Sequence, residues 1–168
     1  MGVYYDPYRV AAQTMPERVS DLYIEALSLI ERLHRRLLDV IKDEFDSSGQ
    51  SAVNSVQALL IFNIGASQLT AGELRKRGYY LGSNVSYNLK KLVEAGYIRH
   101  ERSQVDRRSV QISLTDRGRE IAEIVDELYN RHVSTQEVGG IAADEFMELN
   151  RSLKKLERFW KDQVRSLH

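Results

Sequence analysis

The stretch "GYIRHERSQVDRRSVQISLTDRG", residues 96–118, decides the fold, because the spacing of its apolar side chains leaves the helical period that precedes it. In "SVQISL", Val110, Ile112 and Leu114 alternate with Gln111 and Ser113, the pattern of a strand with one buried side. Its expected partner is "YIRHERS", 97–103, in which only Tyr97 and Ile98 are apolar. The intervening "QVDRR" makes a hairpin tip that carries Asp106, Arg107 and Arg108. Thr115 then stands where an N-cap is expected for the next helix.

Upstream, "LTAGELRKRG" announces a helix. Thr70 and Glu73 form a capping box while Leu69 and Leu74 stand at staple spacing. That helix ends near Gly78, and "GYYLGS" makes a short turn before a restart at Ser83, a good N-cap. The helix that follows is "SNVSYNLKKLVEAG". Helix, short glycine-containing turn and helix form a helix-turn-helix, and the hairpin behind it makes the unit a winged helix.

The flanks are helical. Val19, Leu22, Tyr23, Ala26, Ile30, Leu33, Leu37, Val40 and Ile41 recur in steps of three and four over about 15–46, with a capping-box pattern at Thr14 and Glu17 and with Pro16 in the first turn. "DSSGQS" at 46–51 breaks this helix, and a mostly apolar one follows over 54–65. After Thr115 come Ile121, Ile124, Val125 and Leu128, then a break at Gly139 and Gly140. A last helix carries Phe146, Leu149, Leu153, Leu156 and Trp160 at heptad spacing. The expected class is therefore mainly α with a small β-hairpin wing. A Tyr-rich arm spans 1–14 and a single domain 15–168, with a winged-helix lobe at 54–114 between flanking helices at 15–46 and 116–168.

Composition narrows the function. The 168 residues carry no cysteine, so disulfides, thiolate metal sites and thiol switches are excluded within the chain. No apolar run reaches membrane-spanning length. The start lacks a secretory pattern, and Asp6 stands where a myristoylation motif needs Ser or Thr, so a cytoplasmic protein is expected. His34, His100, His132 and His168 are scattered, and no grouping has metal-ligand spacing. No metal and no cofactor are expected. There is no phosphate-binding glycine loop, no His-Glu metal motif and no nucleophile elbow, which argues against an enzyme. Net charge is zero, but residues 70–110 hold nine Lys/Arg against four Asp/Glu, a basic island between acidic flanks.

That island coincides with the second helix of the helix-turn-helix. With Val85 at 0° and about 100° per residue, Leu89, Leu92 and Val93 fall within roughly 80° of it and form a core face. The opposite face presents Ser83, Asn84, Tyr87, Lys90, Lys91 and Glu94, with Ser86 and Asn88 at its borders. Such residues donate hydrogen bonds to phosphates or base edges. At the wing tip, paired arginines suit the narrow, strongly negative minor groove, and Asp106 is expected to orient one of them.

"DRRSVQISLTDRG" resembles the wing signature of the MarR family of bacterial regulators, with Asp106, Arg108, Leu114, Thr115 and Gly118 in register. "SNVSYNLKKLVEAGYIRHERS" is similar to that family's recognition helix running into its first wing strand. The likeness extends over about 15–166. It implies a homodimer with interlocking N- and C-terminal helices that carries two winged helices onto a pseudo-palindromic operator in double-stranded DNA. Ser83, Asn84, Ser86, Tyr87 and Lys91 would face the major groove, and Arg107 and Arg108 the minor groove. Tyr87 stands where such proteins often have Arg, and Gly78 where they often have Leu.

The residues point to a partner copy independently, since three apolar-faced helices offer more surface than one small winged helix covers. The resemblance also implies release of DNA by a small aromatic or phenolic effector wedged between the dimer helices and the lobe. Phe45, Leu59 and Phe62 either line such a pocket or belong to the core. The rival reading is a winged-helix module that docks protein without binding DNA; its weak duplex association would be insensitive to salt.

Overall fold

A computed structural model of the chain describes residues 18–50, 52–70, 73–74, 83–102, 110–134 and 139–166, and of 83–85 and 165–166 the backbone alone. Along it run α1 (Val19–Ser47), α2 (Ser55–Ile64), β1 (Leu69–Thr70), α3 (Ser83–Glu94), β2 (Ile98–Arg102), β3 (Val110–Leu114), α4 (Asp116–Val133) and α5 (Ala143–Ser166). The expected mainly helical winged helix is the observed architecture. The chain divides between Leu59 and Leu60 into two compact units.

In the first unit α1 starts after Arg18, which is extended and makes no side-chain cap. The expected box of Thr14 and Glu17, with Pro16, lies outside the described residues. At its far end the amide of Gly49 donates to the Asp46 carbonyl at 3.4 Å and that of Gln50 to the Phe45 carbonyl at 3.0 Å. This is a Schellman closure, with Gly49 at φ 72°. Asn54 and Gln57 then cap α2 reciprocally: the Gln57 amide donates to Asn54 Oδ1 at 2.9 Å and the Asn54 amide to Gln57 Oε1 at 3.2 Å. Ile41, Phe45, Val53, Ala58 and Leu59 are buried. Along α1, however, Val19, Leu22, Ile24, Leu29 and Leu33 stand exposed.

In the second unit the sheet has three antiparallel strands in the order β1-β3-β2. Ile98 faces Leu114, His100 faces Ile112 and Arg102 faces Val110, so the two expected segments pair as a hairpin. Tyr97 precedes the strand and is buried. The third strand was not expected: Leu69 pairs with Ile112 and Thr70 with Gln111. Two residues are too few to show a period, and Thr70 also serves the helix that follows. Its amide donates to Glu73 Oε2 at 2.7 Å, while the Glu73 amide donates to Thr70 Oγ1 at 3.1 Å, closing the expected capping box. Leu69 and Leu74 are both buried. Residues 71–72 and 75–82, where the remainder of that helix and the turn are expected, lie outside the described residues. α3 takes in Ser83, the expected cap, as its first residue, so the helix begins one position earlier than expected.

Sheet and helices share one apolar core of Leu92, Tyr97, Ile98, Ile112, Leu114, Ile121, Val125 and Leu128. α3 packs on β2 and α4 on β3. Each fully buried Leu or Ile contributes about 1.5–3 kcal/mol relative to exposure. Thr115 caps α4 as expected, its Oγ1 accepting from the Gly118 amide at 3.1 Å. Asp116 in the first turn and Arg131 and His132 in the last complement the helix dipole. Gly139 and Gly140, at φ 64° and 76°, break the chain before α5. There Phe146 and Leu156 are half-buried, while Leu149, Leu153 and Trp160 remain 44%, 40% and 38% exposed. Among the described residues no helix is long and apolar enough to cross a membrane.

Gly118 sits where a Cβ would overlap the Tyr97 carbonyl oxygen. Overpacking of this kind costs about 1–3 kcal/mol, sometimes more. Gly118→Ala is expected to lower the unfolding free energy by at least that margin, read as a lower urea midpoint with no change in the slope of the transition.

Candidate nucleic-acid interface

α3 is amphipathic because its apolar residues recur in steps of three and four. Leu92 is buried, and Leu89 and Val93 are half-buried over a cavity of about 340 Å³ that Ile98 and Ile112 also line. The opposite side is open: Ser86, Tyr87, Lys90 and Lys91 are exposed, Tyr87 at 60%. Ser83 and Asn84 occupy the first turn of the same helix. The structure therefore gathers the recognition-helix candidates on one twelve-residue helix, with the described side chains directed to solvent.

The charges on this face are not independent. Lys90 Nζ lies 3.8 Å and Lys91 Nζ 3.7 Å from the Glu94 carboxylate, and Lys91 Nζ also sits 5.8 Å from the centre of the Tyr87 ring. Glu94 was placed on this face from the sequence, but its double pairing was not read. The three- and four-residue spacing from Lys91 and Lys90 is the signal that carries it. All these side chains are at least half exposed, so each pair contributes at most about 1 kcal/mol to folding. Their effect falls on the potential that the helix presents to an anion.

β2 continues the basic surface. Arg99, His100, Glu101 and Arg102 are all exposed, and Arg102 stands at the last strand position before the hairpin tip. Neither Arg99 nor Arg102 was singled out as a contact, although the local charge count includes both. Arg99 shares a hollow of about 220 Å³ with Gln68, Ser113 and Arg119. Arg119 pairs with Asp116 and donates to the Leu114 carbonyl at 3.2 Å. Asp106, Arg107 and Arg108 lie outside the described residues.

Of the effector-pocket candidates, Phe45 and Leu59 are buried residues of the first unit. Phe62, in the second, is half-buried and meets Tyr129 edge-on with ring centroids 5.2 Å apart. Burial raises the Tyr129 phenol above its ordinary pKa, so it is a neutral hydroxyl. Among the described residues no cluster of three or more His, Asp or Glu is arranged to hold a metal ion.

Residues 51–109 match the sequence model of the MarR family. The Exopolysaccharide II synthesis transcriptional activator ExpG of Rhizobium meliloti (strain 1021) is 38% identical over 99 residues, 59% of this chain and 51% of its own. The HTH-type transcriptional regulator MgrA of Staphylococcus aureus is 39% identical over 72 residues, 43% of this chain and 47% of its own. The chain thus spans about half the length of the curated relatives it matches. In fold it resembles Streptococcus pneumoniae FabT, whose structure was solved in complex with DNA, with a TM-score of 0.64, 23% identity, and coverage of 84% of this chain and 99% of that one. Both relatives are named as transcriptional regulators, and neither as an enzyme. The likeness first seen in the wing and the recognition helix thus recurs independently: residues 51–109 are similar to the MarR family.

Proposed function

We propose that the chain is a cytoplasmic, homodimeric, sequence-specific DNA-binding transcriptional regulator that acts on a pseudo-palindromic operator and is released by a small aromatic or phenolic molecule. The observation that carries this reading is the open polar and basic face of α3, backed by an apolar core and flanked by the basic strand β2. A helix so presented fits the major groove, about 12 Å wide.

Ser83, Asn84, Ser86 and Tyr87 would read base edges, while Lys90, Lys91 and Arg102 engage phosphates. Arg107 and Arg108 would enter the minor groove, with Asp106 orienting them. Counterion release makes such binding fall with salt at a slope of about −0.9 per neutralised phosphate.

The apolar residues left exposed on α1 and on α5 support a second copy. Two recognition helices about 34 Å apart would read successive turns of one DNA face. For the effector, Phe45, Leu59 and Phe62 remain the proposed contacts, and the Phe62–Tyr129 pair offers an aromatic edge against which a phenolic ring can pack. A duplex-binding regulator is favoured over a protein-docking module because the basic residues cluster on the exposed faces of α3 and β2.

The decisive experiment is footprinting on DNA upstream of the chain's own coding region, alongside sedimentation. The expected result is a dimer protecting two half-sites about 10 base pairs apart, centre to centre. A monomer that ignores duplexes at low salt overturns the proposal. Lys90→Ala is expected to weaken binding to all duplexes alike and to reduce the salt slope by about one per half-site, whereas Tyr87→Ala costs about 1–3 kcal/mol on the operator and relaxes discrimination. Titration of labelled operator and random duplexes at several salt concentrations checks both. Glu94→Gln frees both lysines, so it should tighten binding to any duplex by up to about 1 kcal/mol per half-site, roughly fivefold, with the gain fading as salt rises.

A further inference from the structure

α3 ends in a Schellman closure of its own. The Gly96 amide donates to the Val93 carbonyl at 3.0 Å and the Tyr97 amide to the Leu92 carbonyl at 2.9 Å, with Gly96 at φ 77°. This closure leaves the carbonyls of Ala95, Gly96 and Tyr97 facing away from α3, and the start of α4 takes up all three. Arg117 Nη1 donates to the Ala95 carbonyl at 3.0 Å, Thr115 Oγ1 to the Gly96 carbonyl at 2.7 Å, and the Thr115 amide to the Tyr97 carbonyl at 3.1 Å. Arg117 reaches further: its Nη2 donates to the Tyr97 hydroxyl at 3.3 Å, and its guanidinium carbon lies 4.7 Å from the centre of that ring.

Thr115 and Gly118 are accounted for by the cap and by close packing. Arg117 is not, because every contact described for it goes to the far end of α3 and none supports its own helix. A cation at a helix C-terminus relieves the dipole, but an exposed Lys does that equally well. The planar fork that bridges a main-chain carbonyl and a phenol, while lying against the ring, instead sets an angle.

We infer that Arg117 is a positioning residue for DNA recognition, holding α3 at a fixed pitch against α4; this rests on the DNA-binding reading above. The twelve residues of α3 span roughly 18 Å at 1.5 Å per residue. A tilt of about 10° about the clamped end would move Ser83 and Asn84 by about 3 Å, the full length of a hydrogen bond. Base-edge contacts at that end are lost at such a displacement, whereas long lysines still find phosphates. Discrimination, rather than general affinity, depends on the clamp.

Arg117→Lys, which keeps the charge and loses the fork, tests this against wild type on operator and random duplexes, with thermal unfolding followed on the same samples. The expected result is at least a tenfold loss in the operator-to-random affinity ratio, with random-duplex affinity and salt slope within twofold of wild type. Tyr97→Phe removes only the hydroxyl contact and is expected to lose about threefold in the same ratio, which keeps the test open if the lysine variant does not fold. An unchanged ratio in folded variants, or an equal loss on both duplexes, overturns the clamp. Wild-type protein that binds neither duplex overturns the DNA-binding reading instead.

Discussion

The winged helix depends on one tight connection, the three residues that turn the chain from α3 into the sheet. Gly96 adopts a left-handed backbone conformation that allows the helix to close on itself. Tyr97 and Ile98 then drop at once into the core. The same turn is held from the other side by the first turn of α4, where Gly118 lacks the Cβ that would collide with the Tyr97 carbonyl. Two glycines twenty-two positions apart therefore set how closely α3 approaches α4, the helix that leaves the sheet. The hydrogen-bonding capacity of the turn is satisfied by main chain, a threonine hydroxyl and a guanidinium, so it resists bending.

Against this rigid support the surface of α3 is electrostatically balanced. Glu94 draws on two lysines at once, and Tyr87 shares one of them. Weak, solvent-exposed pairs of this kind add little to folding, yet they lower the positive potential that a phosphate would meet. In the proposed regulator, a helix with tempered charge would gain less from any phosphate backbone and would draw more of its selectivity from base edges. The neutral formal charge of the chain fits the same logic, since the basic island is local and acidic flanks surround it.

The long helices pose a separate constraint. Leucines, a tryptophan and other apolar side chains of α5 stay exposed, and so do apolar side chains of α1. Apolar side chains left exposed along a helix suit an interaction face. In the proposed dimer its burial and the spacing of the two recognition helices would be set by one and the same interface, so stability and operator geometry would be coupled.

What the sequence determined by itself was whatever is encoded locally. Periods of three to four residues marked α1, α4 and α5, a mostly apolar run after a chain break marked α2, capping residues at Thr70 and Thr115 marked helix starts, and strict alternation at 110–114 marked β3, because each depends on neighbours within one or two turns. The candidate face of α3 was legible for the same reason. Tertiary structure decided the rest. The two-residue strand β1 has no period to read and exists only because β3 offers it an edge. The contact of Arg117 with Ala95 and Tyr97 joins residues twenty or more positions apart, and no local spacing announces it. Local patterns reflect backbone preference and solvent contrast, whereas the pitch of one helix against another depends on which distant groups meet once the core has closed.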